Sequence, residues 1–166
     1  MELKRRIVSI DSSTTVTGIA VWEEDRLIHS ETVDFEKIKP MEKRFPLMSL
    51  MLLHIIQEHM PDAVYIEECV VTRNAQAQRF LVRLQGVIYG WCLQHNCTFE
   101  AIRPSAWRKQ LGFHQGPKVK REELKAQAIA HIQEKYMREF PEDECEAICI
   151  GEAALIMEQE KKENCQ

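Results

Sequence analysis

The sequence contains no Cys-x-x-Cys pair and no closely spaced histidine pair, although six of its 166 residues are cysteine. Structural zinc sites and the disulfide frameworks of small secreted domains depend on such spacings. Cys145 and Cys149 are one helical turn apart, which fits packing on a buried helix better than metal binding, because free cysteines are usually buried. We therefore expect free thiols in a reducing compartment.

A long hydrophobic run is also missing. The longest apolar stretch, residues 47–56, is interrupted by Ser49 and His54. It is much shorter than the roughly 20 residues that cross a bilayer. The charged N-terminus leads directly into a β-like stretch, without the apolar region or cleavage site of a signal peptide. These absences predict a cytoplasmic protein with no membrane span.

No internal repeat, low-complexity segment or long linker interrupts the chain. Its 166 residues are 45% hydrophobic, which is enough apolar material for one sizeable core. We therefore expect residues 1–166 to form a single domain.

The net charge of −4 argues at first against nucleic-acid binding, but the charge is distributed unevenly. Residues 103–121 and 73–86 together contain nine basic residues and no acid, so these two segments carry +9 and the rest carries −13. Basic segments of this kind can follow a phosphate backbone on a mildly acidic protein.

The pattern of apolar residues predicts an α/β fold. Three antiparallel strands with β-branched residues come first, followed by a helix and a short apolar strand that a right-handed crossover places parallel to the first strand. A helix, a strand and three helices follow. This order predicts a ribonuclease H-like architecture, a mixed five-stranded sheet flanked by helices on both faces. The predicted strands cover residues 5–11, 15–22, 26–33, 62–67 and 97–102, and the helices cover residues 42–60, 74–94, 104–111, 119–136 and 141–160.

Four acidic residues are expected to converge at one edge of this sheet. Asp11 and Glu67 end two strands that are predicted to be parallel neighbours. Asp143 and Glu146 are three residues apart at the start of the last helix and so share one face. Four carboxylates in a small site repel one another, and proteins usually offset this repulsion by binding hard divalent cations such as Mg²⁺ or Mn²⁺. Two such ions support phosphodiester hydrolysis.

Each acid also has an alternative interpretation. Asp11 precedes a Ser/Thr turn and could cap that turn. The helix macrodipole alone could explain Asp143 and Glu146. Glu67 is harder to explain structurally, because it closes an apolar strand where an unpaired charge is costly. The metal-site hypothesis therefore depends on the convergence of all four.

Four segments of the sequence form a series of motifs: IDSSTTVTGIAV (residues 10–21), YIEE (65–68), IRPSAWRKQLG (102–112) and DECEAICIG (143–151). In this order they resemble the successive motifs of RuvC-type Holliday junction resolvases. The resemblance extends over nearly the whole chain and implies a homodimer that binds four-way DNA junctions. It also implies paired symmetric nicks with Mg²⁺, leaving 5′-phosphate and 3′-hydroxyl ends, with Asp11, Glu67, Asp143 and Glu146 on the family's metal-binding positions.

The sequence departs from the family pattern at three places. Glu146 stands where Asp is more usual, and its longer side chain changes the distance at which the carboxylate meets a metal. Glu142 is therefore an alternative ligand. Val70 stands where many members have an aromatic residue near the junction centre. Trp107 and Arg108 replace the more usual basic pattern.

Basic residues are predicted to contact DNA. Lys118 and Lys120 belong to a loop that is expected to close over the scissile phosphate, so we also predict a catalytic role for them. Arg79 and Arg83, one helical turn apart, form either a phosphate ridge or a solvated helix face. The predicted DNA-binding residues are Arg73, Arg79, Arg83, Arg108, Lys109, Lys118, Lys120 and Arg121.

Other interpretations remain open. A broader endonuclease for flaps, forks or three-way junctions would carry the same acids, and a catalytically weak protein could bind branched DNA without cutting it. A phosphotransferase of the sugar kinase and actin-like superfamily is disfavoured, because it needs a second lobe to bind a nucleotide. The helix over residues 74–94, with Gly86 and Gly90 one turn apart, is the predicted dimer contact, although packing within the chain would explain it equally well.

Overall fold

The computed structural model describes residues 4–70 and 73–165. Five strands form one mixed sheet: β1 (Arg6–Asp11), β2 (Val16–Glu23), β3 (Arg26–Asp34), β4 (Ala63–Glu67) and β5 (Thr98–Ile102). Their order across the sheet is β3-β2-β1-β4-β5. The pairs β1–β2 and β2–β3 are antiparallel, and β1–β4 and β4–β5 are parallel. This confirms the predicted mixed five-stranded sheet.

In the described part of the chain, five helices connect and follow the strands, in the predicted order. Helix α4 begins at Arg121 rather than at residue 119, and the last helix extends beyond residue 160. Among the described residues, no helix is both long and apolar enough to cross a membrane. The helices are α1 (Met41–His59), α2 (Ala75–Gln94), α3 (Pro104–Gln110), α4 (Arg121–Tyr136) and α5 (Glu142–Asn164).

Helices cover both faces of the sheet, as predicted. Alternate residues of a strand point to opposite faces, so Ile7 packs in the core under α3, α4 and α5, whereas Val8 and Ile10 pack in the core under α1 and α2. All three side chains are at most 1% exposed. The central strand is therefore buried on both faces, as parallel strands usually are.

Close packing fixes helix α5 against β1 and β2. The Ser9 hydroxyl donates to the Ala147 carbonyl at 2.7 Å, and the Trp22 indole donates to Ser9 Oγ at 3.3 Å. A Cβ atom on Gly151 would lie 2.2 Å from Trp22 Nε1, so only glycine allows the helix to approach this closely. This contact holds the first turn of α5 at the edge of the sheet where β1 and β4 end.

Candidate active site at the sheet edge

The four predicted acids line one cavity of about 770 Å³, called the acidic cavity below. Asp11 and Glu67 end the parallel neighbours β1 and β4, in which Ile10 pairs with Ile66. Asp143 and Glu146 lie on the first two turns of α5.

Glycine at position 18 on β2 makes the position of this helix possible. A Cβ atom there would lie 1.9 Å from the Asp143 carbonyl oxygen. The sequence motif around Asp11 includes Gly18, but nothing in the sequence identifies this glycine as the position against which the last helix packs.

Burial and mutual repulsion raise the pKa values of acids in this cavity. The pKa of Asp11 is raised well above its ordinary value, first by burial and then by the charges of Glu67, Glu146 and Asp143. Burial also raises the pKa of Asp143, although the Lys125 ammonium opposes this shift. The cavity therefore favours the binding of protons or cations.

A buried tryptophan holds Glu67 in place. Trp107 is fully buried, and its indole N–H donates to Glu67 Oε2 at 2.7 Å. The Gln85 side chain donates to the main-chain carbonyl of Glu67 at 2.9 Å. Burial raises the pKa of Glu67, whereas the Trp107 hydrogen bond and the Arg108 charge lower it. The sequence identified Trp107 only as a departure from the family pattern, so its contact with an acid was missed.

Arg108 lies between two of the acids. One guanidinium nitrogen is 3.9 Å from Glu67 Oε2 and 3.7 Å from Glu146 Oε1. The guanidinium carbon also lies 4.7 Å from the centre of the Trp107 ring, and the buried Nε has no hydrogen-bond partner among the described residues. Arg108 therefore supplies positive charge to the acids, but its own hydrogen bonding is incomplete.

The donor set fits a hard divalent cation. Its four carboxylates offer the oxygen ligands that Mg²⁺ takes. Among residues 4–70 and 73–165, no three acidic, histidine or cysteine side chains already surround one point closely enough to hold a metal. Because Arg108 is paired with Glu67 and Glu146, a metal that binds both carboxylates has to compete with this arginine.

Glu142, the alternative ligand, has another partner. Its carboxylate forms an ion pair with the Lys125 ammonium. The Lys125 side chain lines the acidic cavity, whereas Glu142 does not. Sequence reasoning missed Lys125, although it lies one helical turn after the predicted DNA-binding residue Arg121.

The predicted DNA-binding residues divide into two groups. Arg108 and Arg121 line the acidic cavity, together with Arg103 and Lys125. The other predicted residues are exposed and lie outside this lining: Arg73, Arg79, Arg83, Lys109, Lys118 and Lys120. Lys118 and Lys120 belong to the loop that precedes α4.

The turn after Asp11 is held by other side chains. Ser13 Oγ accepts from the main-chain N–H of Val16 at 2.9 Å and of Thr15 at 3.2 Å. The buried Arg44 side chain donates to the Thr14 carbonyl at 2.8 Å. The carboxylate of Asp11 lies near those of Glu67, Glu146 and Asp143 in the acidic cavity.

Comparison with known proteins identifies the family. The family profile described as crossover junction endodeoxyribonuclease RuvC matches residues 7–150. The matched span contains all four acids of the cavity. The chain belongs to the RuvC family. The resemblance found in the sequence is thereby confirmed.

Two relatives named crossover junction endodeoxyribonuclease RuvC match parts of the chain. The protein from Caldicellulosiruptor saccharolyticus is 26% identical over 104 residues, which are 60% of this chain and 63% of the relative. The protein from Trichlorobacter lovleyi is 32% identical over 85 residues, which are 49% of this chain and 48% of the relative. The matches therefore span less than two thirds of each relative's length.

A solved structure of a RuvC protein has the same fold. The structure described as Thermus thermophilus RuvC in complex with Holliday junction substrate superposes with a TM-score of 0.70 at 18% identity. The superposition covers 93% of this chain and 96% of the other. This likeness confirms the predicted ribonuclease H-like fold.

Proposed function

We propose that this RuvC-family protein is a structure-selective endonuclease that resolves four-way DNA junctions by paired symmetric nicks. The observation that carries the proposal is the convergence of Asp11, Glu67, Asp143 and Glu146 in one cavity that is also lined by basic side chains. Acids of this kind suit metal-assisted phosphodiester hydrolysis, and the cations suit a phosphate backbone. The junction complex described for the Thermus thermophilus protein agrees with this substrate.

The four carboxylates are the proposed ligands of two Mg²⁺ ions, and Mn²⁺ is the proposed substitute. When bound, these ions would supply the positive charge that favours in-line displacement at a phosphodiester, leaving 5′-phosphate and 3′-hydroxyl ends. Trp107 keeps the Glu67 carboxylate oriented toward the cavity. This chain therefore fixes one proposed ligand by a hydrogen bond from a side chain that is itself fully buried.

The cations have two proposed roles. Arg108, Arg121 and Lys125 line the acidic cavity, so they are suited to orient the scissile phosphate and offset its charge. Lys118 and Lys120 are exposed in the preceding loop and would contact the phosphate only if that loop closes. We propose Lys109 and Arg73 as contacts to the backbone outside the cavity.

A homodimer would present two such sites to a nearly two-fold junction. Helix α2 buries one face in its own chain through Phe80, Leu84 and Ile88. On the other face a Cβ atom at Gly86 or Gly90 would meet no atom of residues 4–70 and 73–165 within 4 Å. Large apolar residues in the second half of this open face support α2 as the dimer contact: Tyr89 is 48% exposed and Leu93 66%.

The dimer is tested by sedimentation velocity on the Leu93→Glu variant. We expect the native protein to sediment as a dimer and the variant to sediment as a monomer. Met137→Glu, which places the same charge at an 86% exposed apolar residue on another helix end, is the matched control. A dimer that survives Leu93→Glu would exclude α2 as the contact.

The function is tested with a labelled four-way junction and a linear duplex of the same length, with and without Mg²⁺. Symmetric nicks that need both the metal and the junction support the proposal. Tight binding without cleavage would indicate a branched-DNA binding protein, and equal cutting of three-way, fork and flap substrates would indicate a broader endonuclease. Failure to bind or cut any of these DNAs would refute a role on branched DNA.

A further inference from the structure

Helix α2 differs in charge from the rest of this acidic protein. Its 20 residues include Arg79 and Arg83 and no acid, whereas the whole chain has a net charge of −4. Both arginines are exposed and lie one helical turn apart. They face a groove of about 630 Å³ between α2 and the start of α1, called the α1–α2 groove below.

The α1–α2 groove is positively charged. Lys39, Arg79 and Arg83 line it, and Glu42 is the acid in its lining. Within the described residues, no hydrogen bond or ion pair involves the side chains of these three cations. In the acidic cavity, by contrast, Arg103 is paired with Glu68 at 3.2 Å, and Arg108 and Lys125 are also paired with acids.

The wall of the groove is rigid. Arg44 is 5% exposed, and its guanidinium donates to the carbonyls of Ile38 and Lys39 at 2.7 Å each. Phe45 and Phe80 pack edge to face beside it, with ring centres 5.4 Å apart. Arg44 therefore shapes the groove, while Lys39, Arg79 and Arg83 supply charge to whatever occupies it.

The start of α1 adds to the attraction for anions. Met41 and Glu42, the first residues of this helix, line the groove, and Pro40 provides no side-chain cap. The N-terminus of a 19-residue helix carries partial positive charge. This field and the three cations act in the same direction, and the Glu42 carboxylate in the first turn offsets part of their charge.

The groove is close to the acidic cavity along the chain and in space. Ala77 and Leu81 on α2 line the cavity, whereas Arg79 and Phe80 between them line the groove. Arg44 also donates to the Thr14 carbonyl in the turn beside Asp11. The first half of α2 therefore separates the two concave surfaces.

We propose that the α1–α2 groove binds the sugar-phosphate backbone of the DNA duplex that extends from the cleaved strand. This inference rests on the proposed function, because it assigns a second contact surface for the same substrate. Contacts of this kind position DNA without reading its sequence. The groove would thus contribute affinity for any duplex arm, and the acidic cavity would carry out cleavage.

The test compares two charge-matched double variants in a non-cleaving Asp11→Asn background. Arg79→Ala/Arg83→Ala removes two groove cations, and Lys161→Ala/Lys162→Ala removes two cations from the last turns of α5. The dissociation constants for a labelled four-way junction and a linear duplex are measured over a range of salt concentrations. Because each phosphate contact contributes about 0.9 to the logarithmic salt slope, the groove variant should lower the slope by about 2.

We expect the groove variant to bind both DNAs about ten-fold more weakly near 0.1 M salt, and the α5 control to bind like the parent. Arg79→Lys/Arg83→Lys should restore the slope, since it keeps the charge. Lys39→Ala, on the other wall of the groove, should lower the slope by about 1. This third variant tests the groove even if the double variant does not fold.

Three outcomes would overturn the proposal. The first is an equal slope for the groove variant and the α5 control, which would leave the proposed nuclease function intact. The second is conversion of a dimer to a monomer by Arg79→Ala/Arg83→Ala, because the arginines would then act between two copies of the chain. The third is absence of DNA binding by the parent Asp11→Asn protein, which would overturn the proposed function as well.

Discussion

Helix α5 carries carboxylates that face the protein interior in two regions with different surroundings. In its middle, Glu152 is 5% exposed and is paired with His131 at 2.6 Å and Lys135 at 2.7 Å, and the Tyr136 hydroxyl donates to it at 3.3 Å. On its first two turns, Asp143 and Glu146 face Asp11. Glu152 is thus surrounded by donors, whereas Asp143 and Glu146 lie close to a third acid, and Arg108 is the cation that pairs with Glu146.

The two regions differ in what replaces the lost hydration of each carboxylate. A buried carboxylate that accepts several hydrogen bonds stabilises the fold, because its lost hydration is replaced. Carboxylates that face one another destabilise the fold until a cation binds. Burial alone therefore does not identify a site, and the sign of the neighbouring charges does.

The largest expected effect is the loss of cleavage in Asp11→Asn. The amide keeps the shape of the side chain but removes a proposed ligand charge. We expect cleavage of a four-way junction to fall at least about a thousand-fold, which corresponds to about 4 kcal/mol of transition-state stabilisation. Single-turnover cleavage and junction affinity are measured together, and affinity should be retained.

Asp25→Asn is the control for this prediction, because it makes the same substitution in the exposed turn between β2 and β3. Its cleavage rate should equal that of the native protein. Cleavage by Asp11→Asn within ten-fold of the native rate would contradict the assignment of Asp11 to the metal site.

The opposite effect is expected in the middle of α5. Glu152→Gln removes the charge that Lys135 and His131 face, so the variant should lose about 2 kcal/mol of unfolding free energy. For a protein of this size the Tm should fall by roughly 4–8 °C, as measured by circular dichroism. The rise in Tm on addition of Mg²⁺ should equal that of the native protein.

Glu160→Gln on the exposed side of the same helix provides the comparison, and its Tm should change by less than about 1 °C. A Tm for Glu152→Gln equal to that of Glu160→Gln would mean that the partners of Glu152 contribute nothing to stability.

The sequence was sufficient to predict the elements of the fold and the convergence of the acids. Periodicity and β-branched runs identified the strands, because strand formation depends on local sequence. The crossover rule placed Glu67 beside Asp11, because the order of parallel strands depends on chain topology. The partners of each acid depend on contacts between distant residues. The contacts Trp107 to Glu67 and Lys125 to Glu142, and the close approach of Gly18 to Asp143, have no local signature.

A smaller effect is expected where a neutral donor supports one of the acids. Trp107→Phe removes the indole N–H that donates to Glu67. Loss of such a supporting contact typically weakens metal binding ten-fold or more. We expect the dissociation constant for Mn²⁺, measured by isothermal titration calorimetry, to rise about ten-fold.

Trp91→Phe is the matched control, because this indole donates to Gln57 at 3.0 Å on the other face of the sheet. Both variants lose volume and one hydrogen bond, so both should be less stable. Only Trp107→Phe should bind the metal more weakly, and equal affinities in the two variants would remove Trp107 from the support of Glu67.

The smallest effect is on stability, and its sign follows from the raised pKa of Asp11. An acid whose pKa is higher in the folded state than the ordinary value of about 3.9 contributes stability that is fully present below that value and is lost as the pH rises through the folded pKa. In EDTA, the Tm of Asp11→Asn should therefore equal that of the native protein near pH 4 and exceed it by roughly 2–4 °C at pH 7.5, the shift that about 1 kcal/mol produces. Asp25→Asn should show no such divergence from the native Tm.

Saturating Mg²⁺ should close or reverse the Tm difference between Asp11→Asn and the native protein, because the native cavity then gains a cation that the variant binds less well. A Tm difference that does not change with pH would mean that neither burial nor the neighbouring acids raise the pKa of Asp11. The acids at the start of α5 would then not differ in this respect from Glu152.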